Sequence, residues 1–202
     1  MKNLSKEYIN SFLHKCLTGE YEMEGWQHPL GFGHIKIHTG NKDKIRLHFW
    51  KEKTNEFMLG EPDRVHNHAF DFISYVLKGG LMEKFYEITV NSFGTDAIWE
   101  IENKGDHSVL RKTSIRCNKK PGQNIYHKAG ENYEMSSGDF HDTISTEDNT
   151  ITLVFENSRP EVSSLMICSN LMEEIVREKW PILEKKEIFR IINLVFNKSS
   201  LI

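Results

Sequence analysis

Between residues 31 and 168 the chain breaks into short runs rich in Ile, Val, Phe, Tyr, Trp and Thr, and no run is long enough for a helix of ordinary length. The runs fall at residues 34–38, 44–50, 72–77, 84–90, 98–102, 109–117, 133–136, 150–156 and 162–168. Turn residues separate many of them: Thr39-Gly40-Asn41, Gly79-Gly80, Pro121-Gly122, Ser137-Gly138-Asp139 and Asp148-Asn149. Many short strands at this spacing predict an antiparallel sandwich or barrel. The ends of the chain read differently. Leu4, Tyr8, Ile9, Phe12, Leu13 and Leu17 recur at helical spacing, and Gly19 stops the run. Residues 171–197 again carry a helical period through Leu171, Ile175, Val176, Ile182 and Leu183, then Ile188, Ile191, Ile192 and Val195, with Pro181 as a break. The expected organisation is an N-terminal helical extension over 1–30, a β-domain over 31–168 and a C-terminal helical segment over 169–202. Both helical ends are expected to cover sheet edges; their apolar faces could instead form a homodimer interface.

With 202 residues, one domain with a core of its own is expected. A net charge of -3 gives no global basic field, so neither nucleic acid nor an anionic membrane surface is an expected partner. No apolar run is long enough to span a bilayer. Residues 1–17 lack the apolar stretch of an export signal. Cys16, Cys117 and Cys168 have no metal-binding spacing, and an odd count without an export signal points to a reducing cytoplasm.

Ten histidines invite a search for a metal site. His66 and His68 are separated by one residue, so on a strand their imidazoles leave the same face and can converge on one ion. A second stretch, Gly130 to Ser145, carries His141 behind a glycine turn at Gly138. Together the two stretches resemble the cupin superfamily. Its first motif, His-x-His followed by an apolar strand ending near a Gly, is matched by His66, His68 and Gly79. Its second motif is matched by Gly130, Gly138 and His141, with Ser136 and Ser145 where the family carries Pro and Asn. The resemblance covers roughly residues 44–156. It implies an all-β cupin barrel, a jelly roll or double-stranded β-helix, with helices at both ends. It also implies one divalent metal on His66, His68 and His141. Phe72 stands where the family's acidic ligand usually is, so three histidines form the expected ligand set, with Asp71 as a minor candidate for a fourth.

A three-histidine site resembles the thiol dioxygenase type of metal centre, although the Ser-x-His-x-Tyr pattern of that branch is not found after His141. Imidazole suits Fe(II), Ni, Zn, Cu and Mn alike, and Fe(II) is the preferred ion. The expected function is then an Fe(II)-dependent dioxygenase using O2 on a small polar, anionic metabolite. The alternatives are a non-redox isomerase or lyase, and a cupin that binds a ligand without turnover. Strand parity places Arg64, Ser74, Tyr133 and Met135 toward the site. Arg64 could grip an acidic group of the substrate, Ser74 could line the pocket, and Tyr133 offers a catalytic hydroxyl. Among the other histidines, His28 and His48 have no partner spacing, and His34 and His38 sit outside the matched motifs; all read as surface or structural.

Overall fold

The computed structural model describes residues 4–28, 30–40, 44–51, 65–104, 107–159, 161–169 and 175–196. The N-terminal periodicity forms α1, Lys6–Leu17, capped by the Ser5 side chain, which accepts from the Tyr8 N–H. The strands follow: β1 Glu22–Gln27, β2 Gly33–His38, β3 Lys44–Trp50, β4 Phe70–Lys78, β5 Gly80–Val90 and β6 Asp96–Lys104. Next come β7 His107–Lys128, β8 Asn132–Met135, β9 Phe140–Thr146, β10 Thr150–Ser158, β11 Leu165–Ser169 and β12 Ile175–Lys179. The chain closes on α2, Lys185–Phe196.

Two elements depart from what periodicity predicts. Pro121-Gly122 does not end a strand; it lies inside the 22-residue β7, where the pairing with β5 shifts register between Lys84 and Tyr86. A bulge lets a proline pass where a regular ladder would need its N–H. Residues 175–179, expected helical, form β12, which pairs with the N-terminal half of β7. Apolar residues at 175 and 176 satisfy a helical and an extended pattern alike, and the free edge of β7 decides between them.

The strands lie in two antiparallel sheets ordered β1-β2-β3-β10-β4-β8 and β11-β6-β7-β5-β9, with β12 attached to β7. Neither sheet closes on itself, so the expected jelly-roll or double-stranded β-helix barrel, and with it the cupin assignment, is corrected. A barrel needs a ladder that returns from its last strand to its first. Here the ladders stop at β1 and β8 and at β11 and β9. The free edge of β1 is covered by the chain leading into α2: Gln27 N–H donates to Pro181 O at 2.7 Å and Leu183 N–H to Gly25 O at 2.8 Å. Between the edges of β9 and β11 passes a short segment, residues 65–67, which is held by isolated bridges of His66 to His141 and to Met166.

Alternation explains the layers. Ile35, Ile37, Ile45, Leu47, Phe49, Ile73, Tyr75, Ile151 and Leu153 point to one face of the first sheet. Phe12, Leu13 and Cys16 of α1 and Ile188, Ile191 and Ile192 of α2 pack on that face. The opposite face of the same strands carries His34, Arg46, His48, Ser74, Thr152 and Tyr133; the metal centre itself comes from residues 66–68 and from β5 and β9 of the second sheet, and Tyr133 of this face meets it at Glu83.

Candidate metal centre

Residues 65–67 bring the first two histidines to the third. His66 N–H donates to His141 O at 3.0 Å and His141 N–H donates back to His66 O at 2.9 Å, which makes a hydrogen-bonded antiparallel pair. The pairing sets the two imidazoles side by side, with ring centroids 4.7 Å apart. The segment is fixed on its other edge as well, since Asn67 N–H donates to Leu165 O and the Asn67 side chain accepts from Leu165 N–H at 2.6 Å. His68 follows at the same parity. Its carbonyl accepts from Gly138 N–H in the β8–β9 turn, where Gly138 takes a φ of 90° that favours glycine.

The outcome is a three-histidine cluster capable of holding a divalent metal ion: ligand atoms of His66, His68 and His141 all lie within 4.8 Å of one another. His68 Nε2 and His141 Nε2 are 3.0 Å apart. His141 is buried and the other two are half-buried. Burial, followed by the neighbouring His66 and His141, holds the His68 imidazole well below the ordinary histidine range, in the neutral form that a metal ligand needs. The donor set therefore fits a metal.

Glu83, which nothing in the sequence singles out, completes the arrangement. It sits on β5 opposite Thr143 of β9, is 2% exposed, and meets His141 Nδ1 at 2.8 Å. Thr143 Oγ1 donates to its other oxygen at 2.9 Å. Burial alone would raise the Glu83 carboxyl, but the His141 imidazole and the hydrogen bonds from His141 and Thr143 outweigh it and hold the group below its usual value. A carboxylate accepting from Nδ1–H leaves Nε2 with its lone pair toward His68, the tautomer that ligation requires.

The residues expected around the centre are found as follows. Tyr133 on β8 is opposite Ser74 on β4, and both are on the polar face. The Tyr133 hydroxyl interacts with Ser74 and Glu83, and its ring stacks on His127 with centroids 4.0 Å apart. Burial first, and the charge of Glu83 next, push its phenol upward, so it stays protonated. Phe72 turns its ring edge to His68, with centroids 5.3 Å apart. Asp71 points elsewhere, accepting from Ser137 N–H at 2.8 Å and pairing with Arg159 at 2.6 Å. Asp71→Asn is accordingly expected to leave metal content unchanged, as read by elemental analysis of the two purified proteins. Arg64 lies outside the described residues.

His28, His34 and His48, expected at the surface or as isolated structural residues, gather with Phe32, Trp50 and Trp180 on the polar face of the first sheet. His34 and His48 are opposite one another in β2 and β3, with ring centroids 5.6 Å apart. Burial, followed by the nearby Arg46 charge, holds His34 and His48 well below the ordinary range. Burial, then the charges of His66 and Arg46, pushes His28 down to about 3. In the unfolded chain these groups protonate near 6.5, so below that pH the unfolded state binds more protons than the folded one. Stability should be full above pH 6.5 and fall progressively below it, and urea midpoints at pH 7.5 and 5.0 give the check. Equal midpoints would show that the three imidazoles are not held neutral by the fold.

Comparison with known proteins found no matching family model, no matching curated protein and no matching solved structure. The oxygenase, isomerase or lyase and ligand-binding expectations rested on the cupin barrel, and they fall with it; the metal cluster rests on its own geometry. Among the described residues no helix is long and apolar enough to cross a membrane.

Proposed function

We propose that this protein is a mononuclear metal-dependent enzyme that activates water for hydrolysis or hydration of a small molecule. The observation that carries the reading is the convergence of His66, His68 and His141, with His141 held by the buried Glu83. Three neutral imidazoles leave the charge of a divalent ion uncompensated and leave coordination positions open. Bound there, the ion would act as a Lewis acid and lower the pKa of water. Fe(II), Ni, Zn, Cu and Mn all suit imidazole, and Fe(II) stays among the candidates.

The chain's own groups have distinct tasks in this reading. Glu83 fixes the His141 tautomer and takes up positive charge at Nδ1. Tyr133, kept protonated with its hydroxyl on Glu83, would donate to a substrate oxygen by exchanging that bond from the carboxylate. Phe70, Phe72 and Phe85, whose rings lie within 6.4 Å of His68 or His141, limit water to the positions the site needs. The three cysteines are free thiols buried in the fold, a state that suits a reducing cytoplasm.

The test is to purify the protein without chelator or affinity nickel, measure bound metal, and follow hydrolysis of activated esters and amides with and without the ion. About one ion per chain and turnover that is lost on stripping and restored on reloading are expected. Equal turnover by the stripped protein would remove the proposal, and so would O2 consumption by the iron-loaded protein in place of hydrolysis.

A further inference from the structure

The polar face of the first sheet continues away from the metal centre, and its side chains are dominated by hydrogen-bond donors. One row across the strands runs Lys36 on β2, Arg46 on β3, Val154 on β10, Ser74 on β4 and Tyr133 on β8. The neighbouring row runs Trp26, His34, His48, Thr152 and Val76. The first row therefore begins at two cations and ends at Tyr133, beside Glu83. Arg46 also connects to the centre directly: its guanidinium lies 5.1 Å from the Phe70 ring, and that ring lies 4.8 Å from the His68 ring.

Three features of this wall call for an occupant. Lys36 and Arg46 are directly opposite one another on adjacent strands, an arrangement that like charges disfavour. Glu156 pairs with Arg46; the Lys36 ammonium lies 4.9 Å from the Trp26 ring, and Glu24, opposite Lys36 on its other side, is solvent-exposed and also meets His38. In addition, His34 is 3% exposed and neither of its ring nitrogens has a partner. Thr152, fully buried, and Trp180, 4% exposed, likewise have an unpartnered hydroxyl and an unpartnered indole N–H. Their positions coincide: the His34 and Trp180 rings are 5.8 Å apart, and Thr152 is opposite His48 in register. Buried polar groups without partners are costly, and guanidinium, ammonium and indole N–H groups can only donate. The complementary ligand is rich in acceptors and negatively charged.

We propose that Arg46, Lys36 and His34 form a subsite for a carboxylate or phosphate group on the substrate, whose other end reaches the His66–His68–His141 centre. The reading of this group as the far end of a substrate rests on the metal-dependent function above; the anion subsite itself does not. Glu156 holds the guanidinium in place, and the planar fork can present further N–H groups to two oxygens of the anion. Thr152 in the adjacent row, and Trp180 packed against His34, supply further donors.

Titration of the full-length protein with inorganic phosphate, succinate and, as a neutral control, glycerol, followed by tryptophan fluorescence and calorimetry, tests the assignment in metal-loaded and metal-stripped samples. One of the two anions should bind in both samples while glycerol does not, and the tighter of the two names the group. His34→Phe and Lys36→Met should each weaken that binding roughly tenfold to hundredfold with metal content unchanged. Lys36 is only half-buried, so its variant keeps the test informative if His34→Phe fails to fold. The proposal is overturned if neither anion binds, if both variants bind like the wild type, or if binding disappears on stripping, which would place the anion on the ion alone. A chain that binds the anion but no metal would instead remove the metal-dependent reading and leave the subsite standing.

Discussion

Replacing His141 with alanine is expected to abolish stoichiometric metal binding, the largest functional effect of any single change in this protein. Three consequences coincide at that side chain. One of three ligands is lost, and the two imidazoles left belong to a segment held between sheet edges by isolated bridges. The carboxylate of Glu83, 2% exposed, also loses its imidazole partner and keeps Thr143 and the neighbouring Tyr133. Glu83→Ala separates the ligand from its support: all three imidazoles stay, and metal affinity should fall about 10–100-fold, the range found when a carboxylate behind a ligating histidine is removed. Metal-to-protein ratios after dialysis against a weak chelator rank the variants as wild type, Glu83→Ala, His141→Ala. The wild type should also gain thermal stability with added metal, because an ion that binds only the folded state stabilises it by mass action, and His141→Ala should not. A His141→Ala protein that keeps a full complement of tightly bound metal would dismantle the three-histidine centre.

The parts of this molecule that were legible in the sequence are those set by local pattern. Alternation in residues 44–50 and 150–156 specifies strands that pair edge to edge as β3 and β10. The His66-x-His68 spacing and the glycine turn before His141 mark side chains that do meet. What failed depends on which edges find one another, and that is fixed by long-range pairing. The same short strands would suit a closed barrel, and only the covering of β1 by residues 181–183 and the ladders that stop at β8, β9 and β11 settle the sheets as open. Glu83 was invisible because its tie to His141 crosses from β5 to β9, a register that no motif encodes. His34 and His48, fourteen positions apart in sequence, become neighbours only through the β2–β3 ladder. In each case a polar residue on the inner face of a strand looked like one on an outer face, since alternation gives two faces without saying which is buried.

Glu156→Leu is expected to cost about 3–5 kcal/mol of folding stability, more than any other single polar substitution on the inner face of the first sheet. The Glu156 side chain is 1% exposed and the Arg46 side chain 19%, and the two form an ion pair across β3 and β10. Burial already pushes the Arg46 guanidinium down to about 10, so the cation stays charged at neutral pH and cannot escape by losing its proton. Without Glu156 it is left as a buried charge whose desolvation nothing repays. The double variant Arg46→Met, Glu156→Leu removes both charges and fills the space with apolar atoms, and it should recover most of the loss, because such a pair contributes little over a hydrophobic replacement. Urea unfolding gives the comparison: a large drop in midpoint for the single variant, a small one for the double, and unchanged slopes in both. The recovered double variant should nevertheless bind phosphate or succinate far more weakly than the wild type while retaining its metal. That combination would separate the two uses of Arg46, since a pair kept for stability alone would leave the anion affinity of the folded double variant intact. A Glu156→Leu midpoint close to that of the wild type would show that water reaches the guanidinium and that the wall is not the enclosed surface its geometry describes.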